Sequence, residues 1–397
     1  MHILMIAPEP FFQPRGTPFS EFHRLRALTT LGHTVDLVTY PFGDDVEMPG
    51  LRIFRCVRPP FVSGVRIGPS WAKVPLDVSL AFSAASRAVR GGYDAVHSHE
   101  EGGGIGIVLA ALMRRPHLYD MHSSLPQQVS NFGFSRASWL ASLLGWLERI
   151  MIRRSRVVIV ICQDLEDAVR EVDRVVPTVL IENASGDPPA VGAGVEVRAA
   201  LGLSLETPVV LYTGTFEAYQ GLDLLYDAMR RVRASQPDAR LVMVGGEPGQ
   251  VEAARGRARA AGIDDGVLFT GQQPPGEIPR YLDAATVLVS PRSSGTNTPL
   301  KIYQYLRSGR PIVATRLRTH TQVLDDDIAI LTAATPEAFA TGILRAVREP
   351  ETAAAIGARA RHVADTKYSD EAFIAKTRHA VDLLEASARG RSVEVGS

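Results

Sequence analysis

The sequence predicts two α/β domains, each a doubly wound, Rossmann-like parallel sheet with helices on both faces. Three observations carry this. The chain has 397 residues, and at roughly 150 residues per domain that length suits two domains. Short continuous apolar runs alternate with helical stretches, the pattern of strands buried on both faces. The alternation breaks over Glu182–Gly194, a segment of Asn, Ser, Gly, Asp and Pro suited to a linker, and then begins again. Domains at 1–186 and 187–366 follow. The closing helix at 367–386 is a candidate to pack back on the first domain, and 387–397 is expected to fray. Sheets of this kind bind ligands outside the carboxyl ends of their strands. Two of them facing each other across a cleft would place function in the loops that follow the strands.

The elements can be justified in order. Met1–Pro8 opens with an apolar run that resembles a secretion signal. It lacks a basic leader and stops at Pro8 and Glu9, so a buried strand His2–Ala7 is the better reading. Further strands are expected at Thr34–Thr39, Ala95–His99, His117–Asp120, Val157–Cys162 and Val179–Ile181, with helices at Ser20–Leu31 and Gly106–Arg114. The second half repeats the plan. Its strands are Val209–Thr213, Arg240–Val244, Val267–Thr270, Thr286–Ser290 and Pro311–Ala314. Its helices are Leu222–Ala234, Gln250–Ala261, Glu277–Ala284, Leu300–Arg307 and Pro336–Arg348, and a last one spans Asp370–Ala386.

Composition excludes several classes. Lys+Arg and Asp+Glu are 43 each, so the chain is not built to coat nucleic acid. Its two cysteines, Cys56 and Cys162, support neither a disulfide framework nor a Cys-rich zinc site, and they suit a reducing, cytoplasmic location. The longest clean apolar stretch, Val157–Cys162, is far short of the ~20 residues of a spanning helix.

The sharpest local signal runs from Ser290 to Lys301. It leaves a strand and opens a helix, with Thr298 as the expected N-cap and Pro299 as the first helical residue. A helix start offers free N–H groups and a partial positive charge, which bind phosphate, and Arg292 and Lys301 add cations. Only four of the 43 cationic residues are lysines (Lys73, Lys301, Lys367, Lys376). Lys301 therefore reads as a choice of chemistry rather than of charge alone. An ordinary capped helix with a solvated lysine gives the same letters. A second loop, Tyr212–Gly221, and a third, Pro14–Ser20, also join strand to helix. Each reads as a ligand loop or as a plain connection. His97, His99 and His122 cluster near strand ends, beside Glu100, Glu101, Ser123 and Ser124. They suit a polar substrate site with one working histidine, or satisfied core histidines. Their spacing supports no metal site. A dinucleotide fingerprint, a P-loop and a nucleophile elbow are all missing from the sequence.

The chain resembles the family-4 glycosyltransferases of the GT-B arrangement along nearly its whole length. The resemblance lies in the order and spacing of several pieces. In the first half these are the Gly16 loop and first helix ending at Leu31-Gly-His33, then Tyr93–His99, Tyr119–His122 and Ile181–Asn183. In the second they are Thr213–Thr215 through Gln220-Gly221, Val242–Gly246, Phe269–Gly271 and Thr298–Thr315. It implies transfer of a sugar from a nucleotide-diphospho-sugar to an acceptor hydroxyl, with retention at the anomeric carbon. The second domain would bind the donor, and the first would bind the acceptor and close over it. The donor would meet Gly16, Thr17, Gly214, Thr215, Gln220, Gly245, Gly271, Thr296, Asn297, Thr298, Leu300 and Gln304. His122 would hold the donor sugar, Lys301 and Arg292 the diphosphate, and the acceptor proton would pass to the departing phosphate. Arg15, Arg66, His99, Glu100 and Ser123 would face the acceptor. The scheme needs no cofactor and no metal, and favours a UDP-sugar over a GDP-sugar.

Four positions depart from the family. Thr215 and Gln220 stand where members carry an Arg and a Lys, and Thr296 and Gln304 where they carry two glutamates. One reading is a divergent enzyme in which Arg292, Lys301 and helix amides take over the diphosphate. Restoring charge with Gln220→Lys should then be tolerated and tighten donor binding. The alternatives are an epimerase or hydrolase on the same scaffold, or an inactive sugar-nucleotide-binding partner subunit.

The acceptor is addressed by a basic stretch. Leu51–Tyr93 holds Arg52, Arg55, Arg58, Arg66, Lys73, Arg87 and Arg90 against one acid, Asp77, with Phe54, Phe61 and Trp71 interleaved. A second stretch, Trp139–Met151, is apolar at helical spacing and runs into Arg153, Arg154 and Arg156. Such surfaces suit an anionic or lipid-linked acceptor at the inner face of a membrane. The second stretch equally suits a core-facing helix with a solvated basic end.

Overall fold

The structure, a computed structural model, describes residues 1–12, 16–65, 73–126, 138–184, 186 and 192–388. The chain divides into two compact units. One is Met1–Asn183 together with the stretch from Glu371 onward; the other is Ala184–Asp370.

The first unit is built on a seven-stranded sheet. Its strands are β1 (His2–Ala7), β2 (Thr34–Thr39), β3 (Leu51–Arg55), β4 (Ala95–His99), β5 (His117–Met121), β6 (Val157–Val160) and β7 (Thr178–Leu180). They pair in the order β3-β2-β1-β4-β5-β6-β7, and all pairs are parallel. Helices α1 (Gly16–Thr30), α2 (Lys73–Arg90), α3 (Gly103–Met113), α4 (Ser138–Arg154) and α5 (Gln163–Val172) join them. Successive residues of β1 serve opposite faces, as a strand buried on both sides requires. Leu4 and Ile6 join Leu76 and Leu80 of α2, while Ile3 and Met5 join Leu25 and Leu28 of α1. The strand order reverses between β1 and β4. There the connections leave to opposite faces and a crevice opens at the carboxyl ends.

The second unit carries six parallel strands in the order β10-β9-β8-β11-β12-β13. They are β8 (Val209–Thr213), β9 (Arg240–Val244), β10 (Val267–Gly271), β11 (Val287–Ser290), β12 (Ile312–Thr315) and β13 (Ile330–Thr332). Its helices are α6 (Ala193–Ala200), α7 (Leu222–Ser235), α8 (Pro248–Ala260), α9 (Ile278–Ala284), α10 (Lys301–Ser308), α11 (Arg318–Thr321), α12 (Pro336–Arg348) and α13 (Pro350–Lys367). The reversal lies between β8 and β11. The closing helix α14 (Asp370–Ala388) belongs from Glu371 onward to the first unit, where Val381 packs with Ile3, Met5 and Leu37.

The structure departs from the sequence reading at several elements. β3 and β13 are additional strands, as are helices α2, α5, α6 and α13. The first helix starts at Gly16 rather than Ser20, so Gly16 and Thr17 form its first turn instead of the loop before it.

Candidate functional site

The loops after β8, β9 and β10 are tied together through glycines. The Gly214 N–H donates to the Val244 carbonyl at 3.0 Å, and the Gly245 N–H donates to that of Gly271 at 2.8 Å. Gly214 and Gly245 have φ of +131° and +121°, which other residues resist. A Cβ on Gly245 would lie 2.1 Å from the Gly214 carbonyl oxygen. Glycine is thus needed here for close backbone approach.

Lys301 opens α10 and is buried. Its Nζ donates to the Thr213 carbonyl at 3.0 Å and to Gln220 Oε1 at 3.2 Å, and lies 3.8 Å from the centre of the Tyr212 ring. Gln220 in turn donates to Thr215 Oγ1 at 3.4 Å, and the Tyr212 hydroxyl donates to the Thr215 carbonyl at 2.7 Å. The structure therefore gathers Gly214, Thr215, Gln220 and Lys301 at one point. Burial, and after it the charge of Arg292, pulls the Lys301 ammonium well below its ordinary pKa. Arg292 follows β11. It donates to the Asn297 carbonyl at 2.5 Å and to Thr319 Oγ1 at 2.7 Å, and its guanidinium stands 5.0 Å from the centre of the Tyr219 ring. Its Nε is buried without a hydrogen bond. Burial lowers its pKa too. Among the described residues, no carboxylate pairs with either cation.

One sequence expectation fails here. Thr298 does not cap α10. The helix begins at Lys301, Leu300 occupies the N-cap position without a side-chain bond, and Thr298 Oγ1 is buried with no hydrogen bond. The Ile302 and Tyr303 N–H groups donate to the Pro299 and Leu300 carbonyls. A tight first turn thus consumes amides that an α-helical start would leave free. Positive charge at this loop therefore rests mainly on side chains. Around them, Gln322 Nε2 donates to the Thr296 carbonyl at 2.6 Å and Thr319 Oγ1 to the Asn297 carbonyl at 2.6 Å, which fixes that loop. Gln304 is half-buried, three residues beyond Lys301.

Sequence reasoning missed the residues that brace this site. His320 Nε2 is hydrogen-bonded to Ser290 Oγ at 2.8 Å and its Nδ1 lies 2.8 Å from the Thr315 carbonyl, which locks the ends of β11 and β12. Burial pushes its pKa down to about 4. The Tyr305 hydroxyl accepts from the Thr213 N–H at 2.9 Å. A lone histidine and a helical tyrosine carry no local signal for such roles.

In the first unit, His97 and His99 lie on β4 and Asp120 on β5, with His122 directly after that strand. His99 Nδ1 and His122 Nε2 are hydrogen-bonded at 3.0 Å. His122 Nε2 also lies 3.3 Å from Asp120 Oδ1, and His97 Nε2 lies 3.4 Å from Oδ2. Arg24 of α1 donates through Nε to Asp120 Oδ2 at 2.9 Å. Burial favours a neutral Asp120. Arg24 first, then His122 and His99, overcome it and hold the carboxyl well below its usual range. Burial keeps His97, His99 and His122 below theirs. His99 is 0 % exposed, so it stands behind His122 rather than open to an acceptor. Glu100 adopts the left-handed region, φ 48°, which marks a strained position at a strand end. Ser123 Oγ donates to its carboxylate at 3.0 Å. Arg15 and Arg66 lie outside the described residues.

His97, His99 and Asp120 bring ligand atoms within 4.8 Å of one another, close enough for a metal ion. The Arg24 cation already occupies Asp120 Oδ2, so these residues fit a charge-balanced hydrogen-bond network better than a metal centre.

Half of the described basic residues of the Leu51–Tyr93 stretch are paired with acids. Arg52 meets Asp36 at 2.7 Å, Arg55 meets Asp45 at 2.8 Å and Lys73 meets Glu101 at 2.6 Å. Arg58, Arg87 and Arg90 have no acidic partner among the described residues. Beside them, α2 turns Val74, Val78, Phe82 and Val89 to solvent, with Val57 and Phe61 also exposed. A groove of about 680 Å³ between β3 and α2 is lined by Phe54, Val57, Val78, Phe82, Arg55 and Arg87. In the second stretch Met151 and Ile152 are core, while Trp71 and the Trp139 side chain lie outside the described residues. No helix among the described residues is long and apolar enough to cross a membrane.

Comparison with known proteins places the chain. The family description "Glycosyl transferase 4-like domain" matches residues 23–184, and "Glycosyl transferases group 1" matches residues 207–349. The chain is 30% identical over 330 residues to the D-inositol 3-phosphate glycosyltransferase of Acidothermus cellulolyticus, covering 76% of this chain and 70% of that one. Sucrose-phosphate synthase from Thermosynechococcus elongatus superposes with a TM-score of 0.82 at 21% identity, over 97% and 99% of the two chains. Anabaena HepE, solved with UDP-glucose, gives a TM-score of 0.74 at 16% identity, over 96% and 99%. With two parallel-sheet α/β units of the GT-B type, the chain is a glycosyltransferase and belongs to family 4.

Proposed function

We propose that this glycosyltransferase moves a sugar, with retention, from a nucleotide-diphospho-sugar bound by the second unit to a hydroxyl of an anionic or lipid-linked acceptor. One observation carries the donor reading. Lys301 is buried and Arg292 half-buried at the ends of β8 and β11, and among the described residues no carboxylate pairs with either cation. Burying unpaired cations is costly, and a diphosphate would offset that cost. As the glycosidic bond breaks, the leaving diphosphate gains charge, and cations already in place stabilise it. The solved neighbour that holds UDP-glucose supports a UDP-sugar, and no cofactor enters the scheme. Thr296, Asn297, Thr298 and Gln304 would supply neutral hydrogen bonds to the sugar and ribose. In the first unit, His122 would hold the sugar, with Glu100 and Ser123 toward the acceptor.

The acceptor reading rests on α2. Its outward apolar stripe and the unpaired Arg58, Arg87 and Arg90 suit an anionic lipid surface. The phosphate in the substrate name of the Acidothermus relative supports an anionic acceptor.

Incubation with labelled UDP- and GDP-sugars tests the donor, with inositol 3-phosphate or anionic lipid vesicles as acceptors. Transfer from the UDP-sugar, with the product's anomeric configuration unchanged by NMR, is expected. Free sugar alone, epimerised donor, or binding without turnover would overturn the reading.

A further inference from the structure

Arg24 is a buried cation that the sequence did not single out, and two elements, β5 and α14, converge on it. Its Nε donates to Asp120 Oδ2 at 2.9 Å. Its Nη1 donates to Thr377 Oγ1 of α14 at 2.8 Å. Its guanidinium lies 4.8 Å from the centre of the Phe373 ring on the same helix. Thr377 is itself fixed, donating to the Phe373 carbonyl at 2.9 Å. Asp120 faces His97, His99 and His122 on its other side.

We propose that Arg24 is a positioning residue: held by the closing helix through Thr377 and Phe373, it keeps Asp120 an acceptor and thereby fixes the orientation and tautomer of the His99–His122 pair. This rests on the reading that His122 acts on the transferred sugar. An ionised carboxylate only accepts hydrogen bonds, whereas a protonated one also donates. With Asp120 ionised, His97 Nε2 is ordered as a donor to it, and His122 Nε2, 3.3 Å from its other oxygen, is held as the N–H that donates to His99 Nδ1. Without the cation, a fully buried Asp120 would take up a proton and that order would be lost. Helix α14 lies at the far end of the chain from α1, 353 residues separating Arg24 from Thr377. Its docking thus couples the chain's last helix to the histidine pair.

Other charged groups surround the network. Glu21 of α1 is fully buried with neither oxygen hydrogen-bonded, and burial, then Glu9, Asp120, Glu100 and Glu101, push its carboxyl well above its ordinary range. Lys376 of α14 pairs with Glu182. Arg24's charge lowers the pKa of each of His97, His99 and His122 and that of Asp120 raises it, so losing both leaves burial to keep the rings neutral.

Four variants, assayed for kcat, nucleotide-diphosphate affinity and pH profile, test this. Thr377→Val keeps the shape and the charge of Arg24 but frees its guanidinium. It should lower kcat about 3- to 10-fold through misplacement of the histidines, with nucleotide affinity unchanged and Tm lowered by the buried donor left without its acceptor. Arg24→Lys keeps the charge, so its kcat should fall while the acid limb of kcat/KM stays in place. Arg24→Met should move that limb to higher pH, because Asp120 then takes up its proton earlier. His122→Ala should abolish transfer. Wild-type kcat in Thr377→Val, or an acid limb that does not move in Arg24→Met, overturns the proposal while leaving the role of His122 intact. Full activity in His122→Ala overturns both.

Discussion

At the scale of single residues, the candidate donor site turns on a buried ammonium. Lys301 lies among a carbonyl, an amide oxygen and an aromatic face, which solvate it only partly. Lys301→Ala should lower kcat/KM by roughly 10²-fold, the scale of one preorganised charge-stabilising group. A sharper test is Lys301→Met. It removes a costly buried charge, so the ligand-free protein should melt at the same temperature or higher, while nucleotide-diphosphate affinity is lost. A fall in Tm with affinity retained would make Lys301 a structural residue. The lowered pKa adds a pH dependence with a definite sign. A bound anion raises the pKa of Lys301, so affinity should be full while Lys301 is charged and should fall as pH rises through its ligand-free pKa. Nucleotide-diphosphate titrations across pH would show that sign. The structure also revises the expectation for Gln220→Lys. Gln220 Oε1 accepts from Lys301 Nζ at 3.2 Å, and a lysine there would set two ammonium groups against each other. The candidacy of Lys301 was legible because lysine is rare in this chain and this one sits at a strand-to-helix loop. Arg24, His320 and Tyr305 were not legible, because their partners lie 30 to 353 residues away and no local spacing encodes them.

At the scale of elements, strands buried on both faces were the easiest to read. β1, β2, β4, β8 and β9 fall on their expected residues, since a continuous apolar run leaves few alternatives. The edges were harder. β3 reads Leu-Arg-Ile-Phe-Arg and β13 has three residues. An edge strand is covered on one side only, and its charged side chains hide the apolar signal. Helix α2 was missed for a related reason. It is apolar inward at Leu76, Leu80 and Ala84 and outward at Val74, Val78 and Phe82, so no single stripe stands out. The same double face makes it the element to test. Three unpaired arginines at ~1 kcal/mol each, with an exposed phenylalanine, would give salt-sensitive attachment to anionic vesicles. Phe82→Glu should cut co-sedimentation with them about tenfold or more, and high salt should weaken the parent protein's attachment. Equal absence of parent and variant from the pellets at low salt would leave α2 without a lipid role and direct the search to soluble acceptors.

At the scale of the whole molecule, each unit holds its own core. The second buries Tyr212, Tyr226, Met229 and Phe339 in one cluster and Tyr303, Tyr305 and Leu306 in another. The first is built around Leu4, Tyr40 and Leu80 on one face of its sheet and Met5, Leu25 and Leu37 on the other. The groups assigned to the diphosphate, namely Gly214, Thr215, Gln220, Arg292 and Lys301, all belong to the unit Ala184–Asp370. A nucleotide diphosphate should therefore act on one core and not the other. Binding to the folded state at 100 times Kd adds about 2.7 kcal/mol. For a unit of this size that raises the midpoint by about 5–10 °C. Differential scanning calorimetry with UDP should show the transition of the second unit moving up by this amount, with a smaller shift for GDP. The transition of the first unit should stay in place. Lys301→Met should abolish the shift, because it removes the charge that the diphosphate meets. An equal shift of both transitions, or one that survives in Lys301→Met, would mean that the nucleotide is held by groups other than those at the ends of β8 and β11.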